Sequence, residues 1–291
     1  MLHIPVLYQD TLDMLDIQPS DVVVDGTIGY GGHSQGILKK LGPEGRLIGC
    51  DQDPASLAAC KTIFSQDARV TLVHKNFSTL ATLLREMGLV GVDKLLVDLG
   101  MSSVQLDDAS RGFSYLKEGP LDMRMNSEQG TTAGHILNTY PSHQLVEMWK
   151  VYGDIRQPEK LAQHILDNRT VSPYTHTGQL IYAIKKSFFF RNSRSVYLKT
   201  CAQVFQALRI EVNQEIASLK TLLEDIPHLI KPNGRVAIIS FHSVEDRLVK
   251  QQFASLKNMT PLSKKPITIT QKEFKNNPRS KPAKLRGYII T

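Results

Sequence analysis

The chain has 291 residues, 41% of them hydrophobic, which is enough for one large domain or two modest ones. No apolar run approaches the ~18 residues of a membrane span. The start "MLHIPVLYQD" lacks the charged beginning and apolar stretch of a signal peptide, so we expect a cytoplasmic protein with no membrane partner.

Positive charge is concentrated near the C-terminus. The chain carries +7 in total, but residues 257–291 hold nine Lys or Arg against one acid, Glu273, so this segment carries +8 and the rest −1. Concentrated positive charge favours a polyanionic partner, because each phosphate contact releases counterions. The alternative is a solvated, partly mobile basic tail without a partner.

The three cysteines, Cys50, Cys60 and Cys201, form no C-x-x-C pair. A sparse, odd count argues against both a disulfide framework and a zinc site. We therefore predict buried or idle thiols and no metal.

The first hundred residues alternate strand and helix patterns. The predicted strands are "DVVVD" (21–25), "RLIGC" (46–50), "RVTLVH" (69–74) and "DKLLVDL" (93–99). The predicted helices are "GGHSQGILKKL", "DPASLAACKTIF" and "STLATLLREM", the last with Ser78 as its N-cap. This rhythm is typical of βαβ units, and it predicts an α/β fold whose mostly parallel sheet has helices on both faces.

A glycine-rich turn follows the first strand. "DGTIGYGGHS" (25–34) contains Gly26, Gly29, Gly31 and Gly32. Bare backbone there lets a ligand approach, and the N–H groups of the next helix point at its anionic end. The spacing is GxxGxGG and not the GxGxxG of dinucleotide sites, so it favours S-adenosylmethionine, which offers a carboxylate and an ammonium group instead of phosphates.

Acids follow two later strands. Asp51, 22 residues past Gly29, stands where an acid accepts both hydroxyls of a ribose. Its alternative role is an N-cap, which Asp53 can equally take. Asp98 lies at the end of the fourth strand, where cofactor and substrate should meet; its alternative role is to cap backbone amides. A histidine in the first turn of a helix usually packs or hydrogen-bonds locally, and no second His or Cys stands at metal spacing beside His33, so we interpret it as part of the cofactor pocket and not as a base.

The strand rhythm stops between Asp107 and about Phe205. Helical spacing is found instead in "TTAGHILNTY", "SHQLVEMWKVYG", "PEKLAQHILDNR" and "HTGQLIYAIKKSF", which predict an all-helical insertion. Within it, "KKSFFFRNSRSVYLK" (185–199) combines five basic residues and four aromatic ones with no acid. This mixture suits single-stranded or loop RNA, whose bases stack on aromatic rings. The alternative is that its phenylalanines belong to the core.

The βα rhythm returns after the insertion. We predict one helix from about Val204 to Leu229, a turn at "KPNG", and strands at "RVAIIS" (235–240), "ITIT" (267–270) and "RGYII" (286–290). The segment "SFHSVEDR" (240–247) lacks a GxSxG elbow, which argues against a hydrolase triad. The predicted domains are 1–107, 108–204 for the insertion, and 205–291 with the basic tail.

Eight stretches of the chain together resemble the bacterial 16S ribosomal RNA cytosine-N4 methyltransferase family. They are "HIPVL" (3–7), "DGTIGYGGHS" (25–34), "DQDP" (51–54), "LLVDLGMSSVQLDD" (95–108), "RGFSYLKEGPLDMRM" (111–125), "FQALRIEVNQE" (205–215), "ISFHSVEDRLVK" (239–250) and "NPRS" with "AKLR" (277–280, 283–286). The resemblance implies a Rossmann-like class I methyltransferase with a helical insertion for RNA recognition.

The resemblance also implies a role for each matched residue. Gly31, Gly32 and His33 would contact the methionine part of S-adenosylmethionine, Asp51 the ribose and Phe77 the adenine, while Asp98 and Gln105 would complete the pocket. The predicted cofactor-binding residues are therefore Gly29, Gly31, Gly32, His33, Asp51, Phe77, Asp98 and Gln105, and the predicted catalytic residue is Asp98.

The resemblance implies that the chain methylates the exocyclic N4 of a specific cytosine in the decoding region of 16S rRNA. The expected substrate is the rRNA within the small ribosomal subunit, and S-adenosylmethionine is released as S-adenosylhomocysteine. The alternative is an RNA-binding assembly protein with an unused methyltransferase fold. A nicotinamide-dependent dehydrogenase is disfavoured by the glycine spacing and by the lack of a second nucleotide-binding half. The sequence leaves the oligomeric state open.

Overall fold

The computed structural model describes residues 5–191 and 193–291. His3 and Ile4 of the "HIPVL" stretch, and Asn192 of the stretch 185–199, therefore lie outside the described residues. The chain forms two compact units. We call Met1–Gly100 with Ile216–Thr291 the sheet unit, and Met101–Glu215 the helical unit.

Among the described residues of the sheet unit, eight strands form one sheet. They are β1 (Val22–Asp25), β2 (Arg46–Asp51), β3 (Val70–His74), β4 (Val92–Asp98), β5 (Ile230–Ser240), β6 (Met259–Pro261), β7 (Ile267–Thr268) and β8 (Lys284–Ile290). Their order is β3-β2-β1-β4-β5-β8-β6, with β7 also paired to β8. Strands β1 to β5 pair in parallel, whereas β8 is antiparallel to its neighbours. The predicted, mostly parallel sheet is confirmed; only the three-residue β6 was not foreseen.

Helices cover both faces of this sheet. Those of the sheet unit, numbered along the chain, are α1 (Tyr8–Leu15), α2 (Gly32–Lys40), α3 (Pro54–Ile63), α4 (Leu80–Glu86), α11 (Glu215–Leu229), α12 (Ser243–Ser255) and α13 (Gln271–Asn276). Successive strand residues point to opposite faces. Val23 and Leu96 accordingly share a core with α1, α2 and α3, while Val24 and Leu95 share one with α4, α11 and α12.

The start of α4 differs from the prediction. Ser78 is not its N-cap, because Asn76 accepts the Ser78 N–H at 2.9 Å and begins a short 3-10 turn, Phe77–Thr79, before the helix. Asparagine readily makes such a local bond to the backbone two residues on. The turn places Phe77 directly after β3.

The helical unit has its own core. Its helices are α5 (Ser103–Asp107), α6 (Ala133–Thr139), α7 (Ser142–Gly153), α8 (Pro158–Arg169), α9 (Thr177–Ser187) and α10 (Arg194–Asn213). They pack around buried apolar side chains that include Trp149, Leu161 and Ile184. Helices α6 to α9 cover the four predicted helical stretches, which confirms them. The β-structure found among residues 101–191 and 193–215 is an isolated bridge between Pro120 and His176, so the insertion is helical as predicted.

The single helix predicted from Val204 to Leu229 is wrong. Helix α10 ends at Asn213, Gln214 adopts a left-handed conformation (φ 50°), and α11 begins at Glu215. The Asn213 side chain accepts the Met125 N–H at 2.6 Å and donates to the Met123 carbonyl at 2.8 Å, which ties this helix end into the helical unit. The boundary predicted at 204/205 falls inside α10, and the helical unit runs to Glu215.

The basic C-terminal segment is folded. It supplies β6, β7, α13 and β8, and β8 pairs with three other strands, so a mobile tail does not describe it. All three cysteines are unpaired and buried, as predicted. Within the described part of the chain, every helix is too short or too polar to cross a membrane.

Candidate active site

The carboxyl ends of three neighbouring strands each carry an aspartate. Asp25 ends β1, Asp51 ends β2 and Asp98 ends β4. Strand β1 lies between β2 and β4, at the point where the strand order reverses. In open α/β sheets ligands bind in the crevice at this point, so the fold itself brings the three acids to a ligand site.

The glycine turn at this edge depends on its glycines. Gly29 and Gly31 have positive φ angles of 52° and 78°. A Cβ on Gly31 would lie 2.8 Å from the Phe64 ring, and one on Gly32 would collide with Pro5. A Cβ on Gly29 would meet only the Thr27 carbonyl oxygen at 3.9 Å, so the backbone at Gly29 borders open space that a ligand can enter.

The Asp51 carboxylate is oriented by backbone N–H groups. The Gly29 N–H donates to Oδ2 and the Asp53 N–H to Oδ1, both at 2.8 Å. A carboxylate has about four lone-pair sites, so Asp51 has room for a further donor, such as a ribose hydroxyl. Asp53 is the N-cap of α3, accepting the Ala55 N–H at 3.0 Å, so the capping role considered for Asp51 belongs to Asp53.

Asp98 lies beside the glycine turn. Its backbone N–H donates to Thr27 Oγ1 at 2.6 Å, and its Oδ1 accepts the Gly100 N–H at 3.3 Å. His33 is buried in the first turn of α2, with Nε2 3.8 Å from Asp98 Oδ2, and its ring stacks on Tyr8 with centroids 6.0 Å apart. The structure therefore brings together the glycine turn, the histidine and both predicted acids.

The electrostatics of this edge favour a positively charged ligand. Burial raises the pKa of Asp25 and of Asp51 to about 6, and the pKa of Asp98 to about 7. Repulsion adds to burial, since Asp51 acts on Asp25, and both Asp25 and Glu245 act on Asp98. A sulfonium and an ammonium group would relieve this repulsion, whereas phosphates would increase it. This cluster of three carboxylates thus fits S-adenosylmethionine.

The two remaining predicted residues lie elsewhere. Phe77 is buried in the turn after β3, and its Cβ would be 3.4 Å from a Cβ added at Gly26. Gln105 lies in the helical unit, in a capping box at the start of α5: its Oε1 accepts the Ser102 N–H at 3.0 Å, and Ser102 Oγ accepts its N–H at 3.1 Å. The S-x-x-Q spacing gives that box in the sequence.

Sequence reasoning assigned no role to three polar residues at this edge. Ser34 Oγ donates to Asp25 Oδ2 at 2.7 Å, which holds a buried acid directly before the glycine turn. Thr27 binds the Asp98 backbone, as described above. The sequence did contain a signal for Asp25 and Ser34. An acid ends a strand immediately before a glycine turn, and a hydroxyl side chain follows in the next helix.

The segment "SFHSVEDR" has a structural explanation. His242 and Glu245 form the capping box of α12, and Glu245 Oε2 accepts the Phe241 N–H at 2.8 Å. Asp246 pairs with Lys284 at 2.8 Å and Arg286 at 2.7 Å, which anchors β8 to α12. These side chains are engaged in local structure, in agreement with the argument against a hydrolase triad.

This fold and this site together define a Rossmann-like, S-adenosylmethionine-dependent methyltransferase. The model of the MraW methylase family matches residues 1–289. The chain belongs to this family.

Two curated relatives carry the name ribosomal RNA small subunit methyltransferase H. The protein from Clostridium botulinum (strain Loch Maree / Type A3) is 40% identical over 98% of this chain and 97% of its own length. The protein from Heliobacterium mobile is 41% identical over the same shares. A crystal structure of a candidate rRNA methylase from Clostridium thermocellum matches over 100% of both chains, with a TM-score of 0.51 and 12% identity, and shows the fold alone.

Proposed function

We propose that this chain methylates the exocyclic N4 of a specific cytosine in the decoding region of 16S rRNA, within the small ribosomal subunit. The observation that carries the proposal is the partly buried Asp98 beside the glycine turn, in a chain 40% identical to a small-subunit rRNA methyltransferase. That relative's name gives the RNA, and the cytosine and its N4 atom come from the motif resemblance.

In this proposal the sheet edge holds the cofactor through residues already oriented for it. Asp51 accepts the ribose hydroxyls, the Gly29, Gly31 and Gly32 backbone and His33 contact the methionine part, and Phe77 borders the adenine. Bound S-adenosylmethionine supplies an electrophilic methyl group on a positively charged sulfur and leaves as S-adenosylhomocysteine.

Asp98 acts on the acceptor. The N4 lone pair is delocalised into the cytosine ring, so the amino group is a poor nucleophile. The Asp98 carboxylate accepts a hydrogen bond from one N–H of the N4 amino group. This contact holds N4 in line with the sulfur–methyl bond and turns its lone pair toward the methyl group. The surplus proton leaves late, to water. A base reaches such a buried edge only when it leaves its stack.

The test is transfer of labelled methyl to isolated small ribosomal subunits and to naked 16S RNA, followed by nuclease mapping of the modified base. We expect label on one cytosine, with subunits the better substrate. Saturable RNA binding without any transfer would contradict the proposal and favour the assembly protein with an unused methyltransferase fold. Calorimetry with S-adenosylmethionine adds an independent readout, because that alternative predicts no binding.

A further inference from the structure

The stretch 185–199, here called the basic aromatic segment, joins the end of α9 to the first turns of α10. Three of its four aromatic rings pack against the core of the helical unit: Phe188, Phe190 and Tyr197. They also contact one another edge to face, with centroids 6.3 Å apart for Phe188 and Phe190 and 5.2 Å apart for Phe190 and Tyr197. The core interpretation of this segment therefore holds for these three rings.

Phe189 is different, because 86% of it is exposed. It stands between two packed phenylalanines, in the connection between helices, so the anchored rings on either side fix its position. A single exposed apolar side chain is common on protein surfaces. Evidence for a function of Phe189 must therefore come from the residues near it.

The charged residues beside it in the chain are all basic. Lys185, Lys186, Arg191, Arg194 and Lys199 are all exposed, and residues 185–199 contain no acid. Lys185 Nζ lies 5.5 Å from the centroid of the Tyr197 ring, and Lys186 Nζ lies 5.4 Å from that of Tyr182. Cation–π contacts of this kind hold the lysines without neutralising them. An exposed ring is thus presented within a field of positive charge.

We propose that the basic aromatic segment binds single-stranded RNA, with Phe189 stacking on an unpaired base and the flanking Lys and Arg side chains holding phosphates. The inference deepens the proposed function and rests on it for the identity of the RNA. Single strands are favoured over a duplex because only an unpaired base exposes a face for stacking. A simple anion would leave the ring unused, and an apolar protein surface would leave the cations unpaired.

Two variants of Phe189 test the stacking contact with a fluorescent 12-mer of oligocytidylate, alone or annealed into a duplex. Phe189→Ala should weaken single-strand binding about 5- to 100-fold, the range expected for loss of one stacked base. Phe189→Trp should retain binding, and its emission should be quenched by the RNA. The natural Trp149 is the sole tryptophan and is 0% exposed, so a quenching signal reports position 189.

The phosphate contacts are tested by salt dependence. Arg194→Ala should lower the slope of log affinity against log salt by about 0.7, the value for one phosphate of a single strand. The matched control is Val171→Ala, since Val171 is an apolar side chain of the same unit with 87% exposure and lies outside the segment. It should change neither the affinity nor the slope.

Wild-type affinity in Phe189→Ala, together with no quenching in Phe189→Trp, would overturn the inference. So would a change in oligomeric state with unchanged RNA affinity, which would make the ring a protein contact. Methyl transfer to subunits in wild type separates the two ideas. Transfer without a Phe189 effect on RNA binding refutes only the inference, and a Phe189 effect without any transfer refutes only the proposed reaction.

Discussion

Replacing Asp98 by asparagine should make the protein more stable and less active. Asp98 has a pKa of about 7 in the folded protein against 3.8 for an ordinary aspartate. Each pKa unit corresponds to about 1.4 kcal/mol, so the ionised carboxylate costs up to about 4 kcal/mol of folding free energy. The figure is an upper bound, because 24% of the side chain is exposed to screening by solvent. Asparagine keeps the Oδ1 that accepts the Gly100 N–H and removes the charge.

The gain should depend on pH in a defined direction. Because its pKa is raised on folding, Asp98 holds more protons in the folded than in the unfolded chain between about pH 4 and pH 7. Wild-type stability therefore falls as pH rises through that window. Above about pH 7 the folded protein bears the full free-energy cost of the ionised Asp98 carboxylate. Asp98→Asn should exceed wild type by up to about 4 kcal/mol at pH 8 and by less than half of that at pH 5.

The same substitution, Asp98→Asn, should lower the methyltransferase activity. Loss of one charged hydrogen-bond acceptor aimed at the reacting group typically lowers kcat about 100- to 1000-fold. In wild type, kcat/KM should rise with pH through about 7, as the Asp98 carboxylate ionises, and Asp98→Asn should lose that rise. The measurements are urea unfolding at pH 5 and pH 8 and labelled methyl transfer across the same range.

Asp13→Asn is the matched control, because Asp13 is an exposed aspartate on α1. It should change neither stability nor turnover. Near-normal turnover in Asp98→Asn would refute the catalytic role. A stability difference that is the same at pH 5 and pH 8 would refute the electrostatic reasoning.

Three further substitutions test neighbouring features. Asp51→Asn should weaken S-adenosylmethionine binding about 10- to 100-fold in calorimetry, since one acceptor oxygen is replaced by a donor and the other loses its charge; unchanged affinity would exclude the ribose role. Gly31→Ala should lower the unfolding free energy clearly more than Gly29→Ala, because the added Cβ at Gly31 would lie 2.8 Å from the Phe64 ring. For Gly29→Ala we expect a loss of ~1–2 kcal/mol, the cost of a left-handed conformation alone. Equal losses in urea unfolding would contradict this. Asp246→Ala should cost about 3 kcal/mol by the same method, because it leaves the partly buried Arg286 unpaired; a neutral result would show that β8 does not depend on this ion pair.

The predictable parts of the fold were those set by local periodicity. The strands ending at Asp25, Asp51 and Asp98 and the four central helices of the helical unit were predicted within a few residues, because buried strands and amphipathic helices impose clear patterns. The failures lie where a tertiary contact decides. Helix α10 ends at Asn213, whose side-chain amide binds the backbone of Met123 and Met125. These residues are distant from Asn213 in the sequence, so no local pattern predicts this helix end.

The candidate site shows the same division. The glycine spacing predicted a turn with bare backbone, and the structure shows why Gly31 and Gly32 cannot carry a Cβ. The spacing also placed Asp51 and Asp98 at strand ends, which a parallel sheet brings to one edge. The sequence also showed Asp25 at a strand end, but its importance could not be weighed there, because it depends on how close Asp25 lies to the other two carboxylates in the structure.

This third acid explains why the edge accepts one class of nucleotide-like ligand and not another. Asp25 is held by Ser34 and lies close enough to both neighbours to raise their energy when ionised, so the sheet edge tends to take up protons near neutral pH. Binding a dinucleotide would add two phosphate charges to this cluster, whereas S-adenosylmethionine brings positive charge to it. The repulsion between these acids thus favours the methyl donor through charge, and it acts in the same direction as the glycine spacing, which departs from that of dinucleotide sites.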